Sequence, residues 1–468
     1  MNGSVSAVSQ DLHDFVADYS EKFGDDVLRL DKAVLSPNQE LTAIVAALSQ
    51  QARAPMVIAE HVHGLDCAVI TNVFASRARL ARVLAVEELE LHAEYQRRAQ
   101  GAVTPVTVSS GPALDVVVAG DEVDVRSVPM LRHFEGDAGP YITSGIIVAE
   151  TADGHGNMSY HRAMVHTTDS LATSLHSRGD LWRMLQMAAE AGTILPVAMV
   201  IGGHPLFMLA ASARVPFETD ERDLAGGLFG SPLEVVRTPI HGIRVPATAD
   251  YVLEGTIDAS DHVAEGPFGE FSGYSSNRST NNLFRVQAIT HRSKPMLVDV
   301  VGGNTSDHLN LSRIPREAEM AEKLKSRFPD VVRVHWPTAG THFLCFVSVR
   351  QRREGLARQV MLGLLGWDPY VKLVVAVDED VDVTRDADVL WAIAVHFQPH
   401  RDLLVVDGLP GSPLDPSASM EGTTSRMGLD ATRSAGFSGT RISIAAPAMD
   451  RARDLLGRLV GGGGAAGE

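Results

Sequence analysis

Residues 254–274 read EGTIDASDHVAEGPFGEFSGY. Two carboxylates, Glu265 and Glu270, frame the turn Gly266-Pro267-Phe268-Gly269. The glycines allow backbone angles that a side chain forbids, and Pro267 stiffens the loop between them. A turn of this kind can aim both carboxylates into one pocket. Repulsion and burial there would hold one of them protonated, which makes a general acid. The same residues also fit a tight surface turn with two solvated glutamates, and the segment alone does not choose.

Around this turn, from Val103 to Gly303, the chain is rich in Val, Ile, Thr and Gly and is broken repeatedly by Pro and Gly. That texture predicts a twisted sheet or barrel. Strands are expected over 142–150 and 197–201, with a hairpin from 284–291 to 295–301. One helix interrupts them: Leu181, Met184, Leu185 and Ala188 share a face, Asp180 or Ser177 can cap its start, and Gly192 ends it. Upstream, the stripe Leu41, Ile44, Val45, Leu48 places a helix start near Asn38, and residues 76–99 read as helical throughout. Downstream, 315–328 reads as a polar linking helix. After it come a helix over 355–366, a strand over 372–377 and a helix over 386–396, and the tail GGGGAAGE is expected to be disordered. The fold class is therefore a mixed α+β and α/β multidomain chain. Its expected divisions are an N-terminal α/β domain (1–101), a central β-rich domain (102–314), a linking helix (315–330) and a C-terminal α/β domain (331–468).

The length of 468 residues suits two or three cores rather than one, and 45% apolar with 21% charged residues is ordinary for a globular protein. Asp and Glu outnumber Lys and Arg 58 to 41, for a net charge of −17. That balance argues against nucleic acid or an anionic membrane as the main partner. An anionic ligand would need local positive charge from a few arginines, a metal or helix N-termini. The only cysteines, Cys67 and Cys345, have no metal-ligand spacing and read as free thiols. The N-terminal stretch MNGSVSAVSQDLHDF lacks the apolar core of a signal peptide, and no apolar run is long enough to span a membrane. A cytoplasmic protein is expected.

Three further segments carry polar groups in this β-rich region. Gly154-His-Gly-Asn-Met-Ser-Tyr-His-Arg-Ala-Met-Val165 is a turn running into an amphipathic strand. His176 stands alone ahead of the Leu181 helix, and Glu221 sits in the acidic run 216–223. Taken singly, each also fits a bland role as strand, cap or solvated face.

Together the segments resemble the UbiD family of prenylated-flavin decarboxylases. The likeness lies in Gly139-Pro-Tyr-Ile-Thr143, Asn157 through Arg162, Val245-Pro-Ala247, Leu253-Glu-Gly-Thr256 and Glu265-Gly-Pro-Phe-Gly-Glu270, and continues in Val377-Asp-Glu-Asp-Val-Asp382 and Met427-Gly-Leu-Asp-Ala-Thr432. The resemblance implies a central split β-barrel that binds flavin between two α/β domains. It implies prenylated FMN, Mn²⁺ (or Mg²⁺) and K⁺ as cofactors. The matching metal ligands are Asn157, His176 and Glu221, with His166 as the rival to His176. Thr143 and the backbone near Ala211 and Ser212 would hold K⁺. The cofactor would lie against Asn157, Met158, Ser159, Tyr160, His161, Arg162, His176, Ser212 and Glu221.

The implied catalytic set is Arg162, Glu265 and Glu270, with Glu270 as proton donor and Arg162–Glu265 as an orienting ion pair. Asn304 and His308 resemble the branch acting on heteroaromatic acids such as pyrrole-2-, indole-3- or furan-2-carboxylate, although both residues also fit plain turn caps. Acrylic, cinnamic or hydroxybenzoic acids are the alternatives within the family. Outside it stand a metal-dependent hydrolase and a non-catalytic flavin-binding protein. Phe271, Tyr274 and Phe437 are available as apolar walls. Implied partners are the aromatic carboxylate and CO₂ of a reversible reaction, a second copy of the chain in at least a homodimer joined through the C-terminal domain, and a flavin prenyltransferase.

Overall fold

The structure is a computed structural model that describes residues 8–151, 154–175, 179–277, 279–350, 352–419 and 422–461. The expected mixed organisation holds. At the N-terminal end lies a four-stranded sheet made of Val27–Leu30, Met56–Ala59, Ala68–Thr71 and Met296–Val298. The fourth strand comes from mid-chain and pairs in parallel with Ala68–Thr71. The hairpin expected at 284–301 is therefore not formed. Leu297 and Val298 instead bury their side chains in the N-terminal layer. The early helix starts at Glu40, and the stretch 76–99 divides into Arg77–Val83 and Leu91–Ala99, with Ala85 at φ 57° turning the chain between them.

The central sheet has nine strands. Its true hairpin joins Tyr251–Glu265 to Ser279–His291, so the 266–270 turn lies at the hairpin's end. Tyr141–Ile142 closes one end of the hydrogen-bonded path, paired with Ala163–Thr167; Gly156–Tyr160 closes the other, paired with Gly145–Glu150. No ladder joins the two ends among the described residues. Two links do. Thr143–Ser144 and His161–Arg162 each cross from one end of the path to the other, and two residues span at most roughly 11 Å. The sheet must curl until its ends nearly meet, and the His161 N–H completes the approach by bonding to the Gly145 carbonyl at 2.9 Å.

The helix Asp180–Glu190 buries Leu181, Met184 and Leu185 against this sheet. Gly179 is its N-cap and, among the described residues, no side chain caps it; Asp180 is the first helical residue, and Ser177 lies outside the described residues. Gly192 at φ 70° ends it as expected.

The linking helix runs Ser306–Arg327, starting well before Pro315 and straddling the expected 314/315 division. Pro315 has no N–H for the Leu311 carbonyl, and the Ser212 hydroxyl donates to that oxygen instead, at 2.7 Å. The C-terminal sheet orders Val331–His335, Leu344–Val349, Leu373–Asp378, Thr423–Asp430 and Leu403–Pro410, its middle three strands parallel. Helices Leu356–Trp367 and Asp386–His396 accompany it. The tail beyond residue 461 lies outside the described residues. No helix among them is long and apolar enough to cross a membrane.

Candidate active site

Glu265 is the last residue of its strand, and Glu270 follows the turn. Gly266 takes φ 88°, a region closed to most side chains. A Cβ on Gly269 would sit 2.5 Å from the Phe134 ring, so the turn packs there only as glycine. Arg162 comes from the short link between the two ends of the sheet. It meets Glu265 through two parallel bonds, Nε to Oε1 at 2.9 Å and Nη2 to Oε2 at 3.0 Å, and its Nη1 touches Glu270 Oε1. Its guanidinium lies over the Phe268 ring, 4.7 Å from the centroid. Asn281 adds a bond to Glu265 Oε2 at 2.7 Å. Burial opposes the Arg162 charge, but the Glu265 hydrogen bonds and the two carboxylates outweigh it and raise its pKa. The group is thus held cationic. Both glutamates are buried, Glu265 at 1% and Glu270 at 6% exposure, so the solvated-turn reading does not hold.

Glu270 opens onto a cavity of about 650 Å³ between the central sheet and the C-terminal domain. On the sheet side the wall includes Asn157, Ser159, Tyr160, His161, Ser212 and Glu221. Glu221 begins the helix Glu221–Phe229, whose N-cap Asp220 accepts the Arg222 N–H at 2.9 Å. Its carboxylate takes the Asn157 amide at 3.1 Å and the Met158 N–H at 2.9 Å. Burial pushes the Glu221 carboxyl up to about 8. Such a group ionises readily once a cation sits beside it, and the hard oxygens of Asn157 and Glu221 suit Mg²⁺ or Mn²⁺.

Other expected residues divide. His308 lines the cavity, with Nδ1 3.0 Å from the Gly303 carbonyl, and burial lowers its pKa so that it stays neutral at pH 7. Asn304, the other expected substrate contact, is exposed and not part of the wall, because the chain turns into a helix between the two. The Met158 side chain packs into the hydrophobic core, leaving only its backbone toward Glu221. Arg162 and Glu265 lie behind the wall rather than in it. His176 lies outside the described residues, and its rival His166 is exposed, away from the cavity. Thr143 bonds Asp299 at 3.1 Å and is not in the cavity wall with Ser212. Phe271 is a wall residue; Tyr274 is exposed, and Phe437 borders a separate groove beside His396.

The sequence reading missed the opposite wall. His342, Tyr370, Arg316 and Ser412 come from or adjoin the C-terminal domain, and Phe271 packs on His342 and Tyr370 at 4.7 and 5.6 Å between ring centroids. Arg214 also lines the cavity, over the Tyr370 ring. No local motif marks these residues; only the tertiary fold gathers them.

Models of 3-octaprenyl-4-hydroxybenzoate carboxy-lyase match in chain order: the UbiD N-terminal domain over residues 24–99, the Rift-related domain over 104–305 and the C-terminal domain over 310–431. The anhydromevalonate phosphate decarboxylase of Aeropyrum pernix is 31% identical, across 89% of this chain and 92% of its own. That of Methanosarcina mazei is 33% identical, across 78% and 85%. Among solved structures, the UbiD-class enzyme HmfF from Pelotomaculum thermopropionicum in complex with FMN superposes with TM-score 0.87 at 30% identity, covering 94% of this chain and 98% of that one. Vanillic acid decarboxylase of Sedimentibacter hydroxybenzoicus in closed form gives 0.83 at 26% identity, covering 97% and 100%. With three consecutive family models spanning the described core and an arginine clamped by two buried glutamates, one of which opens onto the cavity, the chain belongs to the UbiD family and is a decarboxylase of that family.

Proposed function

We propose that this enzyme removes CO₂ from a small unsaturated carboxylic acid with Glu270 as the proton donor and prenylated FMN as the cofactor. The carrying observation is the Arg162–Glu265–Glu270 constellation at the cavity. Loss of CO₂ from an sp² carbon leaves an electron pair that no side chain can accept, and prenylated FMN, when bound, supplies the electron sink. Asn157 and Glu221 would hold its metal, Mn²⁺ or Mg²⁺, and Ser159, Tyr160, His161 and Ser212 would border it. A split β-barrel around the cofactor is supported by the two short links that draw the sheet's ends together. K⁺ beside the metal, a homodimer or larger assembly, and a flavin prenyltransferase as supplier belong to the same reading. Ile442, Ile444, Leu455 and Leu456, exposed on the C-terminal segment, support assembly.

In this scheme Glu265 fixes the Arg162 guanidinium through two bonds, so Arg162 can orient a carboxylate without moving. Glu270, on the cavity face of that pair, is a carboxylate beside Arg162 in the resting site; once it has taken a proton from solvent it passes that proton to the carbon that has lost CO₂ and is a carboxylate again. His342 and Tyr370 cover the site from the C-terminal domain, packed on Phe271 of the central one, and exclude water.

For the substrate, neutral His308 in the wall turns its Nδ1–H to the Gly303 carbonyl and leaves Nε2 as an acceptor, which supports a heteroaromatic acid with a ring N–H. A second reading, a phosphorylated aliphatic acid, is favoured by Arg214 in the wall and by the relatives' names. The test is holoenzyme from co-expression with a flavin prenyltransferase, assayed for CO₂ release from pyrrole-2-carboxylate, indole-3-carboxylate, furoate, cinnamate and a phosphorylated enoic acid. Glu270→Gln should keep the cofactor absorbance and lose at least about 100-fold in kcat. Near wild-type turnover in that variant would remove Glu270 from its role.

A further inference from the structure

We infer that Asp137 is the positioning residue that holds the Glu270 turn in its working place. This rests on the reading of Glu270 as proton donor. Asp137 is 3% exposed and is not part of the cavity wall. Its Oδ1 accepts the N–H of Gly269, the residue immediately before Glu270, at 2.9 Å. Its Oδ2 accepts the N–H of Phe134, also at 2.9 Å. The carboxylate therefore ties the catalytic turn to the segment 134–138, rather than serving only its own loop. The next residue repeats the tie, the Ala138 N–H bonding to the Pro267 carbonyl at 2.9 Å.

Phe134, fixed by that second bond, is a wedge between two glycines. A Cβ on Gly269 would lie 2.5 Å from its ring, and one on Gly303 would lie 2.8 Å from it. The Gly303 carbonyl is the partner of His308 Nδ1. One buried carboxylate thus sets Glu270 through the adjoining Gly269 and His308 through Phe134. Neutral acceptors would serve a merely structural loop equally well. A carboxylate accepting two backbone N–H groups makes stronger bonds and resists rotation of the turn.

The experiment compares Asp137→Ala, Asp137→Asn, Glu270→Gln and Val360→Ala as holoenzymes. Val360 is a buried residue of the C-terminal core and serves as a stability control. Asp137→Ala should keep the cofactor absorbance, hold KM within about twofold and lower kcat by about 10–100-fold, the scale expected of a catalytic group displaced by about 1 Å. Asp137→Asn should lose less, because its amide oxygen still accepts one N–H. Val360→Ala should lower the melting temperature while leaving kcat unchanged well below it. The inference is overturned if kcat of Asp137→Ala stays within twofold of wild type, or if its loss vanishes under assay conditions where Val360→Ala is fully active. If Asp137→Ala yields no folded holoenzyme, Asp137→Asn decides by the same kcat criterion. Retained turnover in Glu270→Gln fails the underlying reading instead, whichever way the Asp137 variants fall.

Discussion

Asp307 is fully buried in the first turn of the Ser306–Arg327 helix, where its two oxygens accept the N–H groups of Asn72 at 3.1 Å and Phe74 at 2.7 Å. Burial pushes its pKa up to about 7. In the unfolded chain the same group titrates near about 3.9. Between those values the folded protein keeps a proton that the unfolded chain has released, so stability falls as pH rises through that window and levels off above it. Urea midpoints measured from pH 4 to 8 should show this decline, on the order of 1–4 kcal/mol, and Asp307→Asn should flatten it. A parallel decline in the variant would assign the effect elsewhere. Asp307 and Asp137 were not legible in the sequence, because a carboxylate that binds backbone from a distant segment leaves no local pattern. Glu265, Glu270 and Arg162 were legible, because their chemistry sits in two short stretches. The polarity of 304–308 was legible too, but not its direction: a helix start between Asn304 and His308 turns one outward and the other inward.

Three parts of the molecule meet on the linking helix. Its Glu317 is fully buried and takes the Arg77 guanidinium at 2.8 Å, the Trp336 N–H at 2.9 Å and His92, with His335 Nδ1 lying 3.4 Å away. Arg77 and His92 come from the N-terminal domain, and His335 and Trp336 from the C-terminal domain. Glu317→Gln would leave the Arg77 charge uncompensated and should cost about 3–5 kcal/mol, read as a lower urea midpoint. A loss below about 1 kcal/mol would mean that water relieves the cluster. The helix's polar second half was readable from sequence, whereas its first turns were not. Proline is a common first residue, and nothing local shows that Ser212 will serve the carbonyl that Pro315 abandons. The 284–301 hairpin failed for a related reason. Nearness in sequence suggested pairing, but Met296–Val298 reaches the N-terminal sheet, a long-range choice no short pattern encodes.

At the scale of the whole chain, an acidic protein must admit an acidic substrate. With a net charge of −17, the approach of an anion is opposed overall and favoured locally by Arg214 and Arg316, which line the cavity, with Arg162 behind its wall. Raising ionic strength from roughly 10 to 150 mM shortens the screening length from about 30 to 8 Å. The KM for an anionic acid should therefore fall over that range while kcat holds steady. A rising KM would mean that the arginines, not the net charge, dominate the approach.

With only His161 and Arg162 between Tyr160 and Ala163, the crossing at the sheet's seam has no slack. One inserted residue would turn the Ala163–Thr167 strand over, throw Ala163 out of the interior and swing the guanidinium off both glutamates. Growth or loss of chain length has to be absorbed elsewhere, in the longer loops. The address of Arg162 is written in the frame around it, not in its own side chain.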